Sequence, residues 1–379
     1  MEGKYKKPSG SYISFMSNKV KAHGGVNMAQ GIPGFNPPDE LTDFLSQLAK
    51  ENLHQYAPGN GNNELIELLL KKYRPYFAFT KDDILIVQGA TEALSLLYIY
   101  FNKILPKPFS TLAFEPVYES YNNLPQIFNT NFVPFAYNQE SSVDFSQLEN
   151  VCRKKDVKVI FIGTPGNPFG KIWSKPEIDN LLKLSKILDI FVVFDAVYRD
   201  LYFEEEPYIP LGQFNPNLFY VNSFSKIFSI TGWRVGYLIA HQKHMEPIKS
   251  IHDYTGLCAP SVLQEAIVRY LKNNNYGERY ISSLRENLKA SYQLLSLELK
   301  KLGFIIPETK GGYFVWAQLP KDFSDGFKFA VDLYEQQRVA VIPGEHFSVN
   351  TVDYIRLNIA RPIAEVTEGI QRIKSFFER

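Results

Sequence analysis

The stretch "NSFSKIFSITGWRVG", residues 222–236, sets Lys226 directly after an apolar run and among small hydroxyl residues, with Arg234 eight positions further on. A lysine placed where a chain leaves a sheet interior is desolvated, which lowers its pKa and frees its amine as a nucleophile. Arg234 offers a planar cation suited to a phosphate or a carboxylate, and Ser223 and Ser225 add hydroxyl donors to the same turn. Alone, Lys226 also fits an ordinary solvated loop lysine. "VQGATEA" (87–93) closes one apolar run and opens a helical one with small residues. The backbone N–H groups of Gly89, Ala90 and Thr91 can therefore face an anion at a helix N-terminus, although an ordinary strand–helix turn has the same composition. "TPGNPFG" (164–170) fixes a loop around Asn167 with two prolines and two glycines. Asp195 ends "IFVVFD", where an unpaired buried carboxylate is costly; it is held either by backbone donors or by a bound cation.

These residues need a scaffold that brings chain ends together. Short apolar runs recur at 83–89, 111–116, 157–165, 190–197, 218–225 and 235–240, several without alternation, as in strands buried on both faces. Helical patterns such as "TEALSLLYIYFN" and "KPEIDNLLKLSKIL" lie between some of them. Strands alternating with helices predict an α/β fold with a mostly parallel sheet flanked by helices, and in such sheets ligands sit beyond the carboxyl ends of the strands. After Pro260 the pattern changes to long amphipathic helices and then to a smaller α+β tail with "GGYFVWAQL", "VAVIPG", "YIRLNIA" and a last helix from about 363. The expected division is a large ligand-binding domain over 46–275 and a small domain over 276–379. Residues 1–45, rich in Gly and Pro and without a sheet pattern, are expected to pack with the small domain.

Composition narrows the function classes. Forty-one basic and forty acidic residues give a net charge of +1, with no long Lys/Arg block, so nucleic acid and anionic membranes are poor partners. Cys152 and Cys258 are the two cysteines of 379 residues, far apart and without metal-ligand spacing, which predicts no metal site and fits a reducing cytoplasm. No run approaches the roughly 18 apolar residues of a membrane span, and the N-terminus lacks an apolar secretory core. A GxGxxG fingerprint, which a nicotinamide dehydrogenase requires, is not supplied by "QGATEA".

A nucleophilic amine, an anion cradle with a planar cation and a buried carboxylate for a ring nitrogen together suit an aldehyde-bearing aromatic phosphate. On these residues the chain resembles the fold-type I pyridoxal-phosphate aminotransferases of class I/II, and within them the branch of kynurenine/glutamine transaminases and bacterial methionine aminotransferases. That family's lysine motif, S-x-x-K followed by T-G-W-[RK]-[VI]-G, stands here as "SFSKIFSITGWRVG". Further ordered matches span nearly the whole chain: "NMAQGIPGF", "QYAPGNG", "VQGATEAL", "EPVYESY", "TPGNPFG", "DAVYRDL", "GGYFVW" and "IRLNIA". The resemblance implies a seven-stranded large-domain sheet and pyridoxal 5'-phosphate as cofactor. It implies that Lys226 bonds the aldehyde and moves the Cα proton, that Asp195 keeps the ring nitrogen protonated, and that Asn167 and Tyr198 hydrogen-bond the ring's phenolic oxygen. Tyr118 would stack on the ring; Gly89, Ala90, Thr91, Ser223 and Arg234 would hold the phosphate. Tyr56 would reach the phosphate of the neighbouring subunit in a homodimer with shared active sites. Arg356 would clamp the substrate α-carboxylate, with Gly31 and Asn167 beside it.

One departure bears on substrate. Where the kynurenine branch carries a tryptophan lining the pocket, this chain reads "GSYISFM", so Ile13 or Tyr12 takes that place. The expected reaction is ping-pong transfer of an amino group from a large uncharged L-amino acid, such as methionine, glutamine or an aromatic residue, to a 2-oxo acid. The large uncharged donor follows from the lack of a second clear arginine for an acidic side chain. A carbon-sulfur β-lyase of the same fold is the alternative. A non-catalytic cofactor-binding regulator would carry a basic helix-turn-helix segment, which this sequence does not show.

Overall fold

Runs of Val, Ile, Leu and Phe without polar interruption need cover on both faces. In the computed structural model, which describes residues 5–138, 141–213 and 215–378, those runs become the centre of the molecule. In chain order the strands are β1 (Val26–Asn27), β2 (Ile84–Val87), β3 (Ser110–Glu115), β4 (Asn131–Ala136), β5 (Val157–Gly163) and β6 (Phe191–Asp195). They continue with β7 (Leu218–Ser223), β8 (Gly236–Ala240), β9 (Phe314–Gln318), β10 (Val339–Ala340), β11 (Ile342–Pro343) and β12 (Tyr354–Asn358).

A seven-stranded sheet in the order β2-β8-β7-β6-β5-β3-β4 holds all six runs expected from the sequence. It is parallel except for β8, which runs antiparallel to both β2 and β7. Alternate residues feed two separate cores. Leu85, Val159, Phe161, Val193, Phe219 and Leu238 pack on one face, and Ile86, Ile160, Ile162, Phe194, Tyr220 and Ile239 on the other. The strand that sequence reasoning missed is β4. It lies at the sheet edge and pairs with β3, and of its apolar residues Phe132, Val133, Phe135 and Ala136 only Phe135 is buried. It also contains Pro134, a residue that sheets tolerate at an edge.

Residues 314–358 contribute the antiparallel sheet β11-β12-β9. The N-terminal stretch, which shows no sheet pattern in sequence, adds the two-residue strand β1 parallel to β10, Val26 opposite Val339. The helix Ala90–Ile104 follows β2 and the short helix Phe224–Ile227 follows β7. No helix of the described residues is long and apolar enough to cross a membrane.

At the start of β8, Gly236 lets two segments of the site approach. A Cβ there would stand 2.8 Å from the Asn222 carbonyl oxygen and 2.9 Å from the Gly89 Cα. Backbone cannot yield as a flexible side chain does. Gly236→Ala is therefore expected to destabilise the protein by about 1–3 kcal/mol, the usual range for overpacking, as read from the urea midpoint, and to loosen the 87–91 turn. An unchanged midpoint would show that the two strand ends are free to move apart.

Candidate active site

Because β2, β5, β6 and β7 end at one side of the sheet, their exits line a single cavity of about 210 Å³. β7 delivers Ser223, and the helix Phe224–Ile227 turns Lys226 into the cavity. Lys226 Nζ donates to the Gly31 carbonyl at 2.6 Å, and its own carbonyl accepts from the Tyr313 hydroxyl at 2.6 Å. Burial, reinforced by the positive charges of Arg356 and Arg234 and opposed by Asp195, lowers the Lys226 pKa to about 8. An amine with that pKa is still mostly protonated at pH 7, but about one-tenth of it is free amine, far more than for an ordinary lysine.

Asp195 closes β6. Its Oδ2 accepts from the Tyr121 hydroxyl at 2.8 Å and its Oδ1 from the Val197 N–H at 3.1 Å. Burial still pushes its pKa up against those donors and the Lys226 charge. Such a carboxylate gains from a cation placed beside it. Tyr121 was not foreseen as a site residue. The signal was available, since it follows Tyr118 by three positions at the start of the helix Glu119–Ile127, and residues three apart share a helix face.

The anion cradle has its own geometry. Gly89, at φ 82°, caps the helix Ala90–Ile104, and a Cβ on it would stand 2.4 Å from an Arg234 guanidinium nitrogen. Arg234 is oriented by the Thr231 and Gln88 carbonyls, both at 3.0 Å, and lines the cavity together with Ala90, Thr91, Ser223 and Ser225. The Ser223 hydroxyl caps the short helix by accepting from the Ser225 N–H at 3.1 Å.

Arg356 lies on β12, between β11 and β9. It is 1% exposed; Nη1 donates to Asn167 Oδ1 at 2.9 Å, Nη2 donates to the Ala29 carbonyl at 2.7 Å, and Nε has no partner. Its guanidinium sits over Phe314 at 4.1 Å and Phe347 at 4.8 Å. Among the described residues no carboxylate lies within ion-pair distance of it. Burial lowers its pKa to about 10, opposed by Tyr198, Glu119 and Tyr118.

The structure thus gathers Lys226, Asp195, Tyr198, Ala90, Thr91, Tyr118, Asn167, Ser223, Arg234, Arg356, Gly31 and Ile13 around one space, with Gly89 against Arg234. Of the two N-terminal alternatives, Ile13 lines the cavity, whereas the Tyr12 hydroxyl turns away to Glu345 at 2.7 Å. Tyr56 is not among the lining residues and is 82% exposed. Residues 24–373 match the family described as aminotransferase class I and II. The chain belongs to that family.

A probable aspartate aminotransferase of Methanocaldococcus jannaschii is 26% identical over 361 residues, covering 93% of each chain. A probable N-acetyl-LL-diaminopimelate aminotransferase of Bacillus subtilis is 25% identical, covering 97% of this chain and 93% of its own. Among solved structures, the aspartate aminotransferase of Thermus thermophilus with maleate superposes with a TM-score of 0.89 at 22% identity, covering 97% of both chains. The relatives do not single out the kynurenine and methionine branch.

Class I and II aminotransferases use pyridoxal 5'-phosphate, and the residues present fit it. A low-pKa amine, a buried carboxylate in need of a cation, a glycine-lined turn beside a guanidinium and an unpartnered Arg356 Nε all face one cavity. Lys226 is accordingly expected to capture an added aldehyde on the cofactor-free protein at a rate that rises with pH and levels off above about 8. Ordinary lysines level off near pH ~10.4. Mass spectrometry of the reduced adduct reads the profile, and an inflection at the ordinary lysine value would refute the burial argument.

Proposed function

We propose that this aminotransferase takes the amino group of an L-amino acid with a large uncharged side chain, such as methionine, glutamine or an aromatic residue, and passes it to a 2-oxo acid in two half-reactions on one site. The observation that carries this reading is Arg356, a buried guanidinium that has no carboxylate partner among the described residues, in the cavity of a low-pKa lysine. A buried cation left unpaired is costly, and an amino or oxo acid brings the missing carboxylate with each turnover.

Pyridoxal phosphate, when bound, supplies the aldehyde that takes up the amino group and a cationic ring that draws off the electron pair left at Cα. The chain's residues do the rest. Arg356 and Asn167 orient the α-carboxylate, which fixes the Cα–H bond relative to Lys226. Lys226 Nζ takes the proton from Cα, and the Gly31 carbonyl at 2.6 Å stabilises the ammonium so formed. Asp195, aligned by Tyr121 and the Val197 N–H, holds a positive charge on the ring nitrogen. Tyr198 and Asn167 would hydrogen-bond the phenolic oxygen and Tyr118 would cover the ring. Ala90, Thr91, Ser223 and Arg234 would hold the phosphate, with Gly89 allowing the turn to approach Arg234 closely.

The lining supports an uncharged donor. Among the described residues its cations are Lys226, Arg234 and Arg356, each occupied in this scheme, while Ile13, Ile32 and Phe314 provide apolar wall. The aspartate donor in several relatives' names would bring a second carboxylate without a further cation to meet it. The exposed Tyr56, outside its own cavity, supports a homodimer in which its hydroxyl reaches the partner's phosphate site.

A screen of the purified holoenzyme against twenty amino acids with several 2-oxo acids tests the assignment, and no amino transfer to any pair would refute it. Within that screen, Arg356→Ala is expected to raise KM for amino acids by roughly 30-fold or more, as for losing one partner of a buried charge pair at about 2 kcal/mol or above. A decarboxylated amine should be little affected; equal losses on both would make Arg356 structural. The dimer is tested by mixing Lys226→Ala with Tyr56→Ala subunits at limiting cofactor. If Tyr56 acts across the two-fold axis, each hybrid gathers both defects into one site and leaves the other intact, so activity exceeds either parent. No recovery, or a fully active monomer, would remove the shared-site arrangement.

A further inference from the structure

Beside Arg356 the cavity carries a carboxylate that the scheme above leaves without a task. Glu119 lines the same space as Arg356, Ile13 and Tyr198. Its Oε2 accepts from the Ser11 hydroxyl at 3.0 Å and lies 2.9 Å from His346 Nε2, at ion-pair distance but off hydrogen-bond alignment. Both contacts fall on Oε2; among the described residues Oε1 makes no hydrogen bond. The His346 ring meets Phe347 with centroids 4.8 Å apart, and Phe347 packs under the Arg356 guanidinium.

Two of the three elements of this wall take no part in framing Asp195, Ser223 and Lys226; the third, the helix Glu119–Ile127, also carries Tyr121, the hydrogen-bond donor to Asp195. Ser11 precedes the helix Tyr12–His23, His346 belongs to the turn Gly344–His346, and Glu119 opens the helix Glu119–Ile127. Glu119 and Ile13 share the lining with Arg356, and the Phe347 and His346 rings run from the Arg356 guanidinium to the Glu119 carboxylate, which sets Glu119 on the Arg356 side of the cavity. Burial pushes the Glu119 pKa up, yet the His346 contact and charge, the Ser11 hydroxyl and the Arg356 charge together bring it below the ordinary glutamate value. Glu119 is an anion at neutral pH.

We infer that Glu119 is a specificity-determining residue: it repels donor side chains that end in a carboxylate and accepts a hydrogen bond at Oε1 from side chains that end in an amide or an ammonium. The inference rests on the reading in which Arg356 takes the α-carboxylate, since that contact leaves the side chain to the lining that Ile13 and Glu119 share with Arg356. Like charges in a desolvated site discriminate strongly, and an amide donor gains a charge-assisted hydrogen bond there. Glutamine and amine-tipped amino acids are thus favoured within the uncharged or cationic class, and aspartate and glutamate are turned away.

The test compares kcat/KM of the holoenzyme for glutamate, aspartate, glutamine and methionine in wild type and Glu119→Gln. The charge-removing variant should raise glutamate and aspartate relative to methionine by about tenfold or more, and lower glutamine relative to methionine. An unchanged acidic-to-methionine ratio would overturn the inference. A second measurement needs no variant and no turnover: calorimetric binding of butanoate and of succinate, which share a four-carbon skeleton, to the wild-type holoenzyme. Weaker binding of succinate supports a repelling carboxylate, and equal or tighter binding of succinate refutes it. If no amino acid reacts at all, the transaminase reading falls while the calorimetric pair still decides the role of Glu119. If aspartate reacts as well as methionine, the transaminase reading stands and this inference fails.

Discussion

A buried guanidinium with no carboxylate among the described residues beside it must be held by neutral acceptors, and the arrangement around Arg356 organises much of the site. Strand alternation puts Arg356 and Asn358 on one face of β12. Arg356 donates to the Ala29 carbonyl, while the Asn358 amide donates to the Gln30 and Ile32 carbonyls at 2.7 and 2.8 Å. Between those anchors lies Gly31, whose carbonyl receives the Lys226 ammonium. A segment near the N-terminus is thus stapled to a strand near the C-terminus and presented to the lysine of the central sheet. Widely separated residues meet because each supplies a hydrogen bond that the buried cations require.

The same dryness explains the opposed tendencies of Lys226 and Asp195. Burial favours the neutral form of each, lowering the lysine and raising the aspartate. Their mutual attraction works against both shifts without reversing either. Neither group is at its electrostatic optimum alone, and a ligand that replaces the lysine ammonium by a covalent bond and sets a cation beside the aspartate relieves both. Tyr121 and the Val197 N–H fix the direction of the Asp195 carboxylate, so this relief depends on orientation as well as on charge.

Much of this was legible in the sequence because it follows from strand ends. The six apolar runs of the central sheet were readable from the order of apolar residues along the chain, and residues at their carboxyl ends, Asp195 and Ser223 among them, converge for a topological reason. β4 was hidden because Pro134 sits inside its apolar stretch, and a proline there argues against a strand unless the strand lies at a sheet edge. β1 was hidden because two residues are too few to show a period. Assigning Arg356 a carboxylate rather than a place on an exposed face required the family resemblance, since an alternating strand is equally consistent with a solvent-facing arginine. Glu119 and His346 were illegible for another reason: their meeting depends on how the turn Gly344–His346 sits against the helix Glu119–Ile127, a tertiary fact with no local sequence signature.

That contrast bears on how recognition and chemistry are divided in the molecule. Lys226, Asp195 and the 87–91 turn are fixed by buried strands whose side chains fill two cores, so a change among them disturbs packing on both faces of the sheet. The wall formed by Ser11, Ile13, Glu119 and His346 is held by single hydrogen bonds and ring contacts between surface elements, with Tyr12 and Lys7 both joined to Glu345 behind it. Residues there can be exchanged at the cost of one or two polar contacts, typically about 0.5–1.5 kcal/mol each, without moving the strand ends. A chain built this way can change which side chain it accepts while the geometry at Lys226 stays as it is.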